Sequence, residues 1–159
     1  MRYGRRTMGR VFLLIALSAT LACGSHIRTR ELKATRLPGI DANSPVTVGL
    51  VWAGNEEVVS LLRTIEGRGW EARILSLMSD FRTALDYESW EFAPCLCTGC
   101  PACTHDLRIP DRFRDGAALF IYADYENSGQ LNRERVDQLR SVEFALERDG
   151  LVLQVEPQR

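Results

Sequence analysis

Two short runs of almost continuously apolar residues constrain the fold more than any other feature of this sequence. They cover residues 45–53 (PVTVGLVWA) and 117–125 (AALFIYADY). A strand without polar alternation is typical of a sheet that is covered on both faces. Both runs therefore predict strands inside a buried sheet.

A helix is predicted directly after the first run. Asn55 is a typical N-cap, two glutamates follow it in the first turn, and apolar residues recur at helical spacing from Val58 to Ile65. Residues 70–77 (WEARILSL) then predict a second strand. The three elements together predict a β-α-β unit with parallel strands.

The rest of the chain continues this alternation. Residues 79–88 predict a second helix, residues 117–125 the third strand, and residues 151–157 (LVLQVEP) the fourth. A third helix that Asn132 begins and Gly150 ends is predicted from an apolar stripe: Val136, Leu139, Val142, Ala145 and Leu146. We therefore expect an α/β fold, a small three-layer sandwich of about four mostly parallel strands with helices on both faces.

The N-terminus reads as an export signal. Four arginines precede the apolar run of residues 11–22 (VFLLIALSATLA). At about 1.5 Å per residue this run is much shorter than the roughly 30 Å hydrocarbon core of a bilayer. Residues 1–22 are therefore predicted to be a signal peptide.

The sequence around Cys23 (TLACGSH) resembles the signal class of bacterial lipoproteins. The resemblance covers residues 1–23 and implies cleavage before Cys23, with lipid such as palmitate added to that residue. Gly24 favours the outer membrane, facing the periplasm. An ordinary cleaved signal and an uncleaved anchor remain alternatives, and the paired arginines of GRRTMGR are weakly similar to a twin-arginine export signal.

Residues 23–44 follow as the lipidated cysteine and a tether, and residues 45–159 as a single domain. The tether prediction rests on the absence of a sustained apolar period, although a short helix over residues 27–36 is an alternative. Within the domain, residues 93–116 are predicted to be a cysteine-rich loop.

The charge balance argues against nucleic-acid binding. The whole chain has 20 basic and 21 acidic side chains, and four of the arginines lie in residues 1–22, so the mature chain has 16 basic and 21 acidic groups and a net charge of -5. Phosphate backbones require a basic face. The turn after residue 53 (AGNEE) also lacks a Gly-rich phosphate-binding motif, so no nucleotide is expected.

Four of the five cysteines lie within nine residues, CLCTGCPAC: Cys95, Cys97, Cys100 and Cys103. In an oxidising compartment they favour two local disulfides, which leaves the chain without a cofactor. The alternatives are a zinc site with His105 as an additional ligand, an iron-sulfur cluster, and a thiol-redox centre at CPAC.

Polar residues at the carboxyl ends of the predicted strands form a candidate pocket: Glu56, Asp80, Asp124, Glu126 and Asn127. In open α/β sheets ligands bind at such ends, although polar residues are also what turns ordinarily contain. A hydrolase or transferase using Asp124 and Glu126 is one hypothesis, but no Gly-x-Ser-x-Gly elbow is present.

The sequence thus favours a lipid-anchored envelope protein that acts by binding. We expect an accessory subunit of an outer-membrane assembly or export apparatus, with envelope proteins as partners and no catalytic residues. The alternative is an envelope metal-binding or thiol-redox protein that uses residues 95–103.

Overall fold

The computed structural model describes residues 26–37, 45–94, 103–125, 132–147 and 150–154. Two helices occur among these residues, α1 (Glu56–Leu62) and α2 (Trp70–Met78), and one 3₁₀ turn, Asp111–Phe113. None of the described helices is long and apolar enough to cross a bilayer. The strands are β1 (Glu31–Arg36), β2 (Val46–Ala53), β3 (Leu85–Phe92), β4 (Cys103–Leu107), β5 (Ala118–Ala123), β6 (Arg133–Arg135), β7 (Ser141–Glu147) and β8 (Gly150–Gln154).

The strands form two four-stranded sheets. One has the order β4-β1-β7-β8 and the other β3-β2-β5-β6. Only β1 and β7 pair in parallel among the described strands, and every other pair is antiparallel. The architecture is a β-sandwich, and the predicted α/β sandwich with mostly parallel strands is wrong.

The central strands β2 and β5 are buried on both faces, as their apolar runs predicted. One face of each contributes to a core between the two sheets, with Val48 and Leu50 from β2 and Ile121 from β5. The opposite face packs under α1 and α2, with Val51 from β2 and Phe120 from β5. Helices therefore cover only one face of this sheet, because the second sheet covers the other.

Residues 70–77, predicted as a strand, form most of helix α2. The buried residues Trp70 and Ile74 lie four positions apart, and Leu75 is 53% exposed. This spacing matches a helix, in which positions i and i+4 share a face. The apolar content of the segment was therefore misleading, and its spacing was the better signal.

The predicted second helix, residues 79–88, is also wrong. Strand β3 begins at Leu85, and its alternate side chains point to opposite faces: Leu85 and Tyr87 pack under the helices, whereas Trp90 and Phe92 pack in the core between the sheets. The apolar residues change faces between Tyr87 and Trp90, so the sequence shows no continuous period of two over this strand.

The predicted third helix, beginning at Asn132, is replaced by β6, a turn and β7. Val142 and Leu146 lie on one face in either interpretation, because a separation of four residues suits a strand as well as a helix. Phe144 decides between them, since it is fully buried beside them in the core between the sheets. Asn132 adopts a positive φ of 40°, and its side chain accepts a hydrogen bond from Leu151 N at 3.0 Å.

Two predicted irregular segments contain regular structure. Strand β1 lies within the predicted tether, residues 23–44, and occupies an internal position between β4 and β7. The predicted loop of residues 93–116 contains β4 and the 3₁₀ turn. All the described elements lie between residues 26 and 154, so the chain that follows Cys23 contains both hydrophobic cores.

The side chain of Trp70, the first residue of α2, lies very close to β2 at one glycine. A Cβ atom on Gly49 would lie 2.0 Å from Cη2 of Trp70. The Trp70 indole is fully buried, with its ring 5.9 Å from that of Tyr122 and 5.7 Å from that of Tyr87. The absence of a side chain at Gly49 therefore makes room for the largest residue under the helices.

Candidate functional site

Basic side chains from two distant parts of the chain lie close together on the surface. We name this group, His26, Arg28, Arg30 and Arg140, the basic surface. All four residues are exposed, and together with Gln138 they line an open cavity of about 440 Å³. Guanidinium groups bind phosphate and carboxylate through charge-assisted hydrogen bonds, so this arrangement suits an anion.

The outward direction of these side chains follows from a period of two. His26, Arg28 and Arg30 are exposed, whereas the intervening Ile27 and Thr29 are 1% and 2% exposed. The extended segment thus buries one set of side chains in the sandwich and turns the other set to solvent. Two guanidinium groups and one imidazole are thereby presented on one side of five consecutive residues.

Hydrogen bonds attach this segment to the turn that precedes β7. Arg28 N donates to Asp137 O at 2.8 Å, and Arg30 N donates to Arg140 O at 2.8 Å. The Thr29 hydroxyl donates to Val136 O at 2.6 Å. These bonds bring Arg140 beside residues that precede it by more than one hundred positions in the chain.

His26 links one arginine to an aspartate. Arg30 Nη2 lies 2.7 Å from His26 Nε2, and His26 Nδ1 lies 3.2 Å from Asp115 Oδ1. Because a guanidinium can only donate, Nε2 must be the acceptor, and the ring proton is therefore on Nδ1, which donates to Asp115. Arg28 and Arg140, by contrast, have no side-chain partner among the described residues.

Asp137 supports the turn beneath the basic surface. Its side chain, 1% exposed, accepts hydrogen bonds from Arg135 Nε at 2.6 Å and from Gln138 Nε2 at 2.7 Å, and Leu119 N lies 3.4 Å away. Burial acts to raise the pKa of Asp137, but the hydrogen bonds from Arg135 and Gln138 outweigh it and hold the pKa below its usual value. Asp137 is therefore ionised and already paired.

A second cavity, of about 540 Å³, crosses the outer face of the β4-β1-β7-β8 sheet. Its lining includes Lys33, which pairs in register with Asp106 on one side and with Glu143 on the other. Acidic groups thus flank the central cation. The cavity mixes both signs of charge, which makes it a weaker anion site than the basic surface.

Three members of the predicted polar pocket lie at the ends of three different elements. Glu56 begins α1, Asp80 follows α2, and Asp124 follows β5, where its Oδ1 accepts a hydrogen bond from Gly69 N at 3.1 Å. Glu126 and Asn127 lie outside the described residues. The part of the chain that the structure describes contains no group of three or more His, Cys, Asp or Glu side chains that could hold a metal ion.

The cysteine cluster lies mostly outside the described residues. This applies to Cys95, Cys97 and Cys100, whereas Cys103 begins the edge strand β4. His105 lies on the same strand, with its ring edge-on to Phe92 at 5.3 Å. Disulfides, zinc, an iron-sulfur cluster and redox chemistry therefore stay predictions, as does lipid on Cys23, which precedes the described residues.

Comparison with solved structures found proteins of similar fold. The chain aligns with the T6SS lipoprotein TssJ1 from Pseudomonas aeruginosa at a TM-score of 0.54 and 12% identity, over 84% of this chain and 99% of that one. It aligns with Serratia marcescens Lip, a membrane-bound component of the Type VI Secretion System, at 0.51 and 8%, over 81% and 99%. The likeness is one of fold.

Comparisons of sequence gave no such relationship. No protein-family model matches the chain. No curated protein matches it either.

The basic surface was missed in the sequence, although part of its signal is present there. Residues 26–30 (HIRTR) alternate between charged or polar and less polar side chains, which is the pattern of a half-buried strand. Because these residues were predicted to be part of a tether, the alternation was not interpreted as a strand. Arg140 carried no local signal, because its place beside Arg28 depends on the pairing of distant segments.

Proposed function

We propose that this protein is a lipid-anchored envelope protein that acts by binding, as an accessory component of a type VI secretion apparatus at the outer membrane. The fold carries the proposal: the likeness spans 99% of both solved neighbours, which are described as a secretion-system lipoprotein and a membrane-bound component of the same system. A fold can host several functions, so the role needs support from the chain itself.

That support comes from the position of Cys23. The lipoprotein-like signal ends at Cys23, and the described fold begins three residues later, at His26. A signal peptide, a lipidated cysteine and a folded domain are the expected parts of an anchored envelope protein. The anchor would hold the sandwich at the membrane, where it can bind other components of the apparatus.

Lipidation is tested with Cys23→Ser in the full-length protein, and Ser25→Ala serves as the matched control. We expect the wild type and the control to incorporate labelled palmitate and to float with outer membranes in a density gradient. Cys23→Ser should incorporate none. Equal labelling of Cys23→Ser and the wild type would contradict the predicted anchor, and flotation with inner membranes would contradict the outer-membrane location.

The role in secretion is tested by deleting the gene and restoring it with either form. Deletion should abolish the release of type VI substrates into the medium, and the wild type but not Cys23→Ser should restore it. Crosslinking in cells should also join the wild type to other envelope components of the apparatus. Undiminished secretion in the deletion strain would reject this role even if Cys23 carries lipid.

A further inference from the structure

The basic surface lies close to the predicted anchor. Three residue steps separate Cys23 from His26, and at about 3.6 Å per fully extended residue they span at most about 11 Å. The polar headgroup layer on each side of a bilayer is roughly 5 to 8 Å thick. If Cys23 carries lipid, the short connection keeps His26 in or next to the headgroup layer.

The charge of this surface differs from that of the chain. The mature chain carries a formal net charge of -5, yet three exposed guanidinium groups border one cavity. Arg28 and Arg140 have no side-chain partner among the described residues, and Arg30 is held in place by His26. Glu31 follows Arg30 directly in the chain, Asp115 accepts a hydrogen bond from His26, and Asp137 is paired with Arg135. Glu143 follows Arg140 by three positions and lines the neighbouring cavity.

We propose that the basic surface binds phosphate groups of anionic phospholipids in the leaflet that holds Cys23. This inference rests on the proposed function, because the lipid on Cys23 brings the surface to the membrane. The acyl chains supply the attachment, and the arginines fix the orientation. Strand β1 runs from this surface toward Arg36, about 20 Å away along the strand. That end of the sandwich would face the interior of the envelope compartment.

The first test uses the lipidated mature protein in vesicles. Arginines are modified with phenylglyoxal and located by mass spectrometry, in phosphatidylcholine vesicles with and without phosphatidylglycerol. We expect phosphatidylglycerol to slow modification of Arg28, Arg30 and Arg140 about five-fold each. Three exposed arginines around α2 are the internal control and should react equally in both: Arg68, Arg73 and Arg82. Equal reactivity of the basic surface in both vesicles would overturn the proposal.

The second test removes the charges from an unlipidated chain that begins at Gly24 and contains every described element. R28Q/R30Q/R140Q should lower its partition into phosphatidylglycerol vesicles on the order of one hundred-fold, and salt should weaken the binding of the parent chain. R68Q/R73Q/R82Q removes the same charge from the other side of the molecule and should have little effect. All three chains should melt at similar temperatures. A loss as large in the control variant would mean that only net charge matters, and would overturn the proposal.

These outcomes separate the inference from the proposed function. Partition of the unlipidated chain requires neither the lipid nor the secretion apparatus. If the triple variant binds vesicles normally but no longer crosslinks to envelope proteins, the surface contacts a protein and the membrane proposal is wrong. If vesicle binding behaves as expected but Cys23 carries no lipid, the proposed function fails instead.

Discussion

Gly49→Ala should destabilise the protein, against the usual preference of strands. Alanine in place of a strand glycine ordinarily stabilises by about 0.5 to 1 kcal/mol. Here the new Cβ would lie 2.0 Å from Cη2 of Trp70, whereas carbon atoms pack best at about 3.5 to 4.0 Å. The indole would have to move by about 1.5 Å, and Tyr87 and Tyr122 pack against it. Whether Gly49→Ala lowers or raises the free energy of unfolding therefore tests the short distance between Gly49 and Trp70.

Overpacking of this kind costs about 1 to 3 kcal/mol. We expect a loss of about 2 kcal/mol in the free energy of unfolding, which lowers the melting temperature by roughly 6 °C for a domain of this size. Urea unfolding and thermal melts followed by circular dichroism measure both quantities. The Trp70 Nε1 has no hydrogen-bond partner among the described residues, so Trp70→Phe gives up ring contacts without giving up a hydrogen bond.

The double variant Gly49→Ala/Trp70→Phe completes the cycle. The smaller ring leaves space for the alanine methyl, so the double variant should be more stable than the sum of the single losses predicts, by about 1 to 2 kcal/mol. A neutral or stabilising Gly49→Ala would refute the close approach of the Trp70 ring to Gly49. Strict additivity of the two changes would refute the assignment of the clash to Trp70.

Three further predictions concern the turn, the second core and the cysteines. Asp137→Asn leaves Arg135 without its carboxylate and should cost about 2 to 3 kcal/mol in urea unfolding at neutral pH. Because the folded pKa of Asp137 is depressed, the stability that Asp137 adds is present above about pH 4 and is lost as pH falls. The variant should lack this acid-dependent loss. Tyr122→Phe removes a buried hydroxyl that donates to Leu62 O at 2.7 Å and should cost about 1 kcal/mol in thermal melts. Burial raises the pKa of Tyr122, so the stability that this hydroxyl adds should disappear as pH rises above about 10. A Tyr122→Phe variant as stable as the parent would contradict this prediction. Intact mass spectrometry under non-reducing native conditions should show residues 95–103 four protons lighter than the reduced form, whereas four free thiols with bound metal would reject disulfides.

The sequence predicted the central strands and one helix correctly. Strand β2, helix α1 with its Asn55 cap, and strands β5 and β8 all occur where they were expected, and the Asn55 side chain accepts a hydrogen bond from Val58 N at 2.9 Å. These elements carry strong local signals, either a run of apolar residues or a cap followed by a helical period. The elements occur as predicted because interactions between residues close in the chain decide whether they form.

The errors occurred where one spacing suits two structures, where apolar content outweighed spacing, as in residues 70–77, or where apolar residues change faces along a strand. Val142 and Leu146 fit a helix and a strand equally well, and the apolar residues of β3 change faces between Tyr87 and Trp90. The candidate polar pocket depended on parallel strands, because only these bring several carboxyl ends to one side. The antiparallel pairing of β2 with β5 removes that basis.

By itself, the sequence predicted an export signal and a lipoprotein-like Cys23, and it determined a pair of strands buried on both faces. It did so because composition and short-range spacing carry this information. Only the tertiary structure decided that helices cover one face and a second sheet covers the other. A buried strand has the same apolar sequence whether helices or a second sheet cover it. The same holds for the basic surface: Arg140 meets Arg28 and Arg30 because β1 pairs with β7, and no local pattern encodes the pairing of segments so far apart.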